Sequence, residues 1–246
     1  MQDTYSQKFR IASFDVSPEG RARLTSLAHY FQETAYHHAN LLGLGYHDLE
    51  RSGQVWVLAR MKIEVVSMPE WNQEIVVETW PRGTDKLFAL RDYLVKDLSD
   101  TTLASGATSW LVLNRENHRP VRFSFDALNI PVRNKGVFPG NPEKLVTPVH
   151  WLPLGKHRVL YSDLDVVGHV NNVKYIEWSL DALIAKNSYP GKIKTLEINY
   201  MKESSSNDTI ELQVAEPDRQ TAMIRGLKND GDTICFICRI SFEKSE

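Results

Sequence analysis

An internal repeat restricts the fold of this chain more than any other feature of its sequence. In the first half, the stretch from Leu24 to Leu44 carries Leu27, Tyr30, Phe31, Thr34, Ala35 and His38 at steps of three and four, the period of a buried helix face. Gly43 and Gly45 then mark a turn, and VWVLARMKIEVV, EIVVETW, LFALRDYLVKD and TTLASGATSWLVLN read as β-rich runs separated by Pro, Gly, Asn or Asp. The second half repeats the order. HRVLYSDLD leads to a helix over NNVKYIEWSLDALIAK, followed by KTLEINYMK, TIELQVAE, TAMIRGLK and TICFICRISFE. The strands overlay at a shift of 135, so that Met61, Ile63 and Ile75 meet Leu196, Ile198 and Ile210. The helices align at a shift of 145, which sets Tyr30 on Tyr175, and the longer loop around Leu42 to Gly53 absorbs the difference.

Between the copies runs PVRNKGVFPGNPEKLVTPVHWLPLG, whose five prolines disfavour continuous helix or sheet. The reading is therefore a first domain over 1–130, a surface linker over 131–153 and a second domain over 154–246. A long helix followed by an antiparallel sheet, twice, makes an α+β architecture in which each sheet wraps its helix.

At 246 residues the chain is long enough to bury a substantial core. The balance of 29 Lys plus Arg against 31 Asp plus Glu gives no overall field to draw it to nucleic acid. No stretch approaches the about 20 apolar residues of a membrane span. The polar start MQDTYSQKFR lacks the basic and apolar regions of a secretory signal, so a cytoplasmic address is expected. Cys235 and Cys238 form a CxxC within an alternating strand pattern that sends them to opposite faces, and no second ligand pair accompanies them. They read as core thiols, and neither metal nor cofactor is expected.

The chemistry concentrates in Ser162-Asp-Leu-Asp-Val-Val-Gly-His-Val-Asn-Asn-Val-Lys-Tyr-Ile-Glu-Trp178. Histidine exchanges protons near neutral pH, and a nearby carboxylate fixes its tautomer, which singles out His169 and Asp165. Asn171 or Asn172 can cap the helix that follows, whose first N–H groups favour negative charge. Donors near Gly168, Asn171 and Asn172 would suit an emerging oxyanion. The alternative is that these are turn and cap residues alone. In the repeat, Gly20 falls opposite Asp165, Leu24 opposite His169 and Met68 opposite Glu203. That asymmetry favours chemistry in the second half and leaves the first free to bind an apolar chain, with Trp56, Trp80 and Trp110 as material for its walls.

The run DLDVVGHVNNVKYIEW closely resembles the signature of the acyl-acyl carrier protein thioesterases. SLAHYFQETAYHHANLLGLG, WVLARMKIEVVSMPEWNQEIVVETW, LRDYLVKD and ATSWLVLN are also similar to their counterparts in order and spacing, so the resemblance covers nearly the whole chain. It implies a tandem, or double, hotdog fold. It implies hydrolysis of a fatty acyl thioester carried on acyl carrier protein, releasing free fatty acid and ending chain elongation in fatty acid biosynthesis. Homodimer formation is compatible with it. The family's catalytic Asp, Asn and His, spaced DxNxH, fall on Asp165, Val167 and His169, and its later Glu falls on Glu203 in Tyr200-Met-Lys-Glu-Ser204.

Two positions depart from the family pattern. Val167 replaces the Asn, leaving the oxyanion to backbone N–H groups near Gly168 and His169, or to Asn171 or Asn172. Ser204 stands where plant enzymes often carry Cys, and neither cysteine is expected near it. The favoured route is attack by a water that Glu203 and His169 activate, with Asp165 orienting the site and Ser204 as a secondary candidate nucleophile. Arg115, Arg119, Arg122, Arg133 and Lys135 are candidate contacts for an acidic carrier. Rival readings keep the fold but change the carrier to coenzyme A, change the reaction to hydration or dehydration of an acyl thioester, or make the chain a non-enzymatic acyl-binding protein.

Overall fold

The computed structural model describes residues 3–186, 191–228, 231 and 233–243. The chain divides into two compact units, Met1–Pro142 and Glu143–Glu246, with the division inside the proline-rich stretch.

Unit 1 contains β1 (Tyr5–Arg10), α1 (Leu24–Leu41), α2 (Tyr46–Arg51), β2 (Gln54–Val65), β3 (Glu74–Asp85), β4 (Phe88–Asp97), β5 (Thr102–Asn114) and a short β6 (Pro120–Val121). Its strands pair antiparallel in the order β1-β3-β4-β5-β2, with β6 on β5. Unit 2 contains β7 (Leu152–Arg158), α3 (Asn172–Ala185), β8 (Ile193–Tyr200), β9 (Thr209–Asp218), β10 (Thr221–Lys228) and β11 (Thr233–Phe242). Its order is β7-β9-β10-β11-β8, the same plan position for position. Each half opens with a strand ahead of its helix. The sequence pattern missed β1, a short edge strand whose alternation ends after Arg10.

Helix α1 buries Leu27, Phe31, Thr34, Ala35 and His38, the face expected from their spacing. It stops at Leu41, after which Gly43 adopts φ 69°, a left-handed conformation that suits glycine. Phe31 stacks on Tyr93 with ring centroids 4.5 Å apart. Gly106 on β5 makes room for that ring, since a Cβ there would lie 2.3 Å from Phe31 Cε2.

The helical register of the repeat is corrected by matching contacts. Asp15 Oδ2 accepts Ala12 N–H at 3.0 Å, and Asp163 Oδ2 accepts Leu160 N–H at 2.8 Å. The Tyr30 hydroxyl donates to Asp15 Oδ2, and His157 Nε2 lies 2.9 Å from Asp163 Oδ2. Phe9 packs on Tyr30 as His157 packs on Trp178, at 4.4 and 4.2 Å. These pairs set the shift at 148, from Asp15 to Asp163, so Tyr30 corresponds to Trp178 and Leu27 to Tyr175. The expected shift of 145 was three residues short because positions three apart share a helix face, and an apolar stripe therefore overlays itself after that slip.

The segment after Val121 contains no further strand before β7 but is held to the units. Trp80 Nε1 donates to Lys135 O at 3.1 Å and Asp92 Oδ2 accepts Val137 N–H at 2.8 Å in unit 1. In unit 2, Leu145 N–H donates to Asn199 Oδ1 at 2.8 Å.

Candidate active site

The loop that leads into α3 is closed by an antiparallel bridge between Leu164 and Val170. Asp165 N–H donates to His169 O at 2.8 Å and Gly168 N–H to Asp165 O at 3.0 Å, with Gly168 at φ 88°. Asp165 Oδ1 accepts the N–H groups of Val167 at 2.9 Å and His169 at 3.2 Å. The carboxylate thus fastens the backbone of the loop, which is a turn-forming role for Asp. It bears on His169 through that residue's main chain.

The same contacts change the expected oxyanion donors. The N–H groups of Val167, Gly168 and His169 are all taken up inside the loop. Asn171 is the helix cap, its Oδ1 accepting Val173 N–H at 2.9 Å, and its own N–H donates to Asp163 O. Gly168 therefore shapes the turn, and Asn171 starts the helix. Asn172, whose side chain takes no part in the cap, is the first residue of α3, and its carbonyl accepts the Tyr200 hydroxyl at 3.1 Å. Val167 is 42% exposed at the loop surface.

Glu203 reaches this loop from the end of β8. The N–H groups of Met201 and Lys202 both donate to Cys235 O, at 2.8 and 3.1 Å, which turns the chain away from β11. His169 then bridges to Ser205 and Val170 N–H donates to Ser204 O at 2.9 Å. This register leaves Glu203 Oε2 3.5 Å from His169 Nδ1, with side chains 49% and 40% exposed. A histidine and a carboxylate in ion-pair range, open to water and to a substrate, can together take a proton from water and return it to a leaving group.

Two expectations fail at Ser204. It is fully buried, which removes it as a nucleophile. Its Oγ lies 3.4 Å from Cys235 Sγ, so a cysteine does approach it. Cys235 was hidden because a register shift lies between Gly226 and Leu227 on the neighbouring β10, where Gly226 pairs Phe236 and Leu227 pairs Ile234. Burial raises the Cys235 thiol above its ordinary value. Tyr175, also missed, lies against Ser204, and its phenol is pushed up to about 12, chiefly by burial. Its helical position marked it only as a core residue.

In unit 1 the matching bridge pairs Val16 with Ala22, and Ser17 N–H donates to Arg21 O at 2.8 Å. Ser17 and Arg21 therefore stand opposite Asp165 and His169, in place of Gly20 and Leu24 expected from the shorter shift. Arg21 donates to Met68 O and pairs with Glu70 at 3.0 Å. No histidine occupies that place in unit 1.

Unit 1 instead holds a cavity of about 160 Å³, walled by Ala35, Leu44, Trp56, Trp110 and Phe125 and reached by Arg91. Trp80 is in the core away from it. The buried Arg91 Nη1 lies 3.1 Å from His38 Nδ1 and 3.2 Å from Thr79 Oγ1. Guanidinium can only donate, so His38 Nδ1 accepts and carries no proton. Of the candidate carrier contacts, Arg115 pairs with Glu50 at 2.6 Å and Arg133 lies 4.5 Å over the Trp80 ring. Among the described residues no cluster of His, Cys, Asp and Glu could hold a metal ion, and no helix is long and apolar enough to cross a membrane.

Unit 2 thus lays a helix on an antiparallel sheet, with a His–carboxylate pair beside the helix start. Residues 2–130 match the profile of the Acyl-ACP thioesterase N-terminal domain and residues 154–244 that of the C-terminal domain. The chain belongs to the acyl-ACP thioesterase family.

It is 27% identical over 247 residues to the oleoyl-acyl carrier protein thioesterase, chloroplastic, of Coriandrum sativum, covering 93% of this chain and 67% of that one. It is 28% identical over 233 residues to the palmitoyl-acyl carrier protein thioesterase, chloroplastic, of Gossypium hirsutum, covering 88% and 56%. The chain thus spans 67% and 56% of the length of these two curated relatives. The crystal structure of an acyl-ACP thioesterase from Bacteroides thetaiotaomicron VPI-5482 shares its fold, with a TM-score of 0.88 at 24% identity over 98% of both chains. So does the 12:0-ACP thioesterase from Umbellularia californica, with a TM-score of 0.86 at 17% identity over 100% and 99%.

Proposed function

We propose that this protein hydrolyses the thioester of fatty acyl-acyl carrier protein, releasing free fatty acid and so ending chain elongation in fatty acid biosynthesis. The observation that carries the reading is the His169–Glu203 pair, open to solvent beside the start of α3 in a chain matched along both halves by one thioesterase family. In this reading Glu203 and His169 take a proton from water as its oxygen adds to the thioester carbonyl carbon. The carbon–sulfur bond then breaks, and the imidazolium returns the proton to the departing thiolate, giving a carboxylic acid and a carrier thiol. Asp165 holds the loop that presents His169. The Nδ2 groups of Asn172 and of Asn171, whose Oδ1 alone is used in the helix cap, are the side-chain donors left for the oxyanion.

The repeat of strand order and helix supports a tandem hotdog, with catalysis in the second unit and an acyl-chain site in the apolar cavity of the first. The test is incubation with a panel of acyl-acyl carrier protein substrates of different chain length, reading free fatty acid and free thiol together. Both products in equal amounts are expected. Thiol release from acyl-coenzyme A at an equal or higher rate would move the reading to the other carrier, and a hydrated or dehydrated acyl product without free thiol would reject hydrolysis.

A further inference from the structure

We propose that Ser204 is a positioning residue that fixes Glu203 opposite His169, acting through a buried contact with Tyr175 and Cys235. The inference rests on the thioesterase reading above. Ser204 is fully buried between the exposed Glu203 and Ser205, which bridges to His169. Its carbonyl accepts Val170 N–H at 2.9 Å, its hydroxyl lies 3.4 Å from Cys235 Sγ, and Tyr175 lies against it. The site loop, α3 and β11 therefore converge on one residue, and the neighbour of that residue carries the carboxylate.

Unit 1 provides an internal control. Ala22 N–H donates to Pro69 O as Val170 N–H does to Ser204 O, which sets Pro69 opposite Ser204. Val66 and Ser67 donate to Leu103 O as Met201 and Lys202 do to Cys235 O, which sets Leu103 opposite Cys235. With Leu27 opposite Tyr175, the trio Tyr175, Ser204 and Cys235 is Leu27, Pro69 and Leu103 in the copy without the His–Glu pair. The fold closes this junction with apolar side chains, so polarity is not what the fold requires there. Buried polar groups with satisfied partners fix a geometry more narrowly than apolar packing does, at the risk of desolvation if a partner is lost. That restriction falls on the segment bearing Glu203, whose side chain is half exposed and otherwise only weakly held.

The test uses Ser204→Ala and Tyr175→Phe, singly and together, with kcat and KM measured on an acyl-acyl carrier protein that the wild type cleaves and with thermal midpoints alongside. Each single variant is expected to lower kcat about tenfold, with KM within about twofold. The double variant is expected to lose no more than the larger single loss, as members of one network do. Ser204→Cys, which keeps a donor of similar size, is expected to recover most of the rate. Wild-type kcat in Ser204→Ala, or a loss matched by an equal loss of folded protein, would overturn the inference. A crystal structure of Ser204→Ala separates this from failure of the thioesterase reading. Glu203 displaced from His169 supports the positioning role even if no acyl substrate is cleaved, and Glu203 unmoved rejects it.

Discussion

His169 Nδ1 stands 3.5 Å from Glu203 Oε2, and the two side chains meet because the bridge from His169 to Ser205 pulls the end of β8 against the loop before α3. The pair is half exposed, so its removal leaves the core untouched. His169→Ala is expected to lower kcat/KM by about 100-fold or more, with stability changed by less than about 1 kcal/mol. Steady-state hydrolysis and urea unfolding of the same preparation check both halves of this expectation. A folded variant with unchanged activity would remove this site from the mechanism.

Asp165 addresses the backbone of its loop through Oδ1, which accepts two N–H groups. An amide oxygen can keep those bonds without a charge. Asp165→Asn is therefore expected to retain activity within about tenfold, whereas Asp165→Ala frees two backbone donors and lowers kcat by about 100-fold. Equal losses in the two variants would assign the carboxylate's charge, and with it a direct part in proton transfer.

Val167 has its side chain at the surface of the loop and its N–H bonded to Asp165. Val167→Asn adds a donor without disturbing that bond. Because a single oxyanion donor is worth about 100-fold in other hydrolases, a gain in kcat of about tenfold is expected, with KM little changed. No gain would mean that Asn172 or Asn171 already fills the role, and Asn172→Ala would then be expected to lower kcat by about 100-fold at constant KM if Asn172 is that donor.

The strands were more legible than the helices. A shift of one residue turns a strand's apolar face outward, so the overlay of Ile63 on Ile198 and Ile75 on Ile210 fixed the strand register, and the match of Pro69 to Ser204 agrees with it. A helix tolerates a slip of three, and the placement of Tyr30 on Tyr175 failed for that reason. The segment holding Asp165 and His169 stood out because those side chains have chemistry at neutral pH. What Asp165 touches did not, since turn-forming and proton-relaying aspartates look alike in sequence. The approach of Cys235 to Ser204 depends on a local shift between β10 and β11, which alternation cannot foresee.

Cys235 and Cys238 are buried, and burial raises both thiols above their ordinary values. In the unfolded chain they titrate near about 8.5, so as pH rises past that point the unfolded state loses protons that the native state still holds. Their contribution is fully present below that pH and is lost above it. Between pH 7 and about 9.5, stability is expected to fall, by on the order of 1 kcal/mol for the deeply buried Cys238. Urea unfolding at the two pH values measures the fall, and Cys238→Val, which removes one thiol at similar volume, is expected to reduce it. An unchanged pH dependence in that variant would show that other groups, and not the buried thiols, set the alkaline limb.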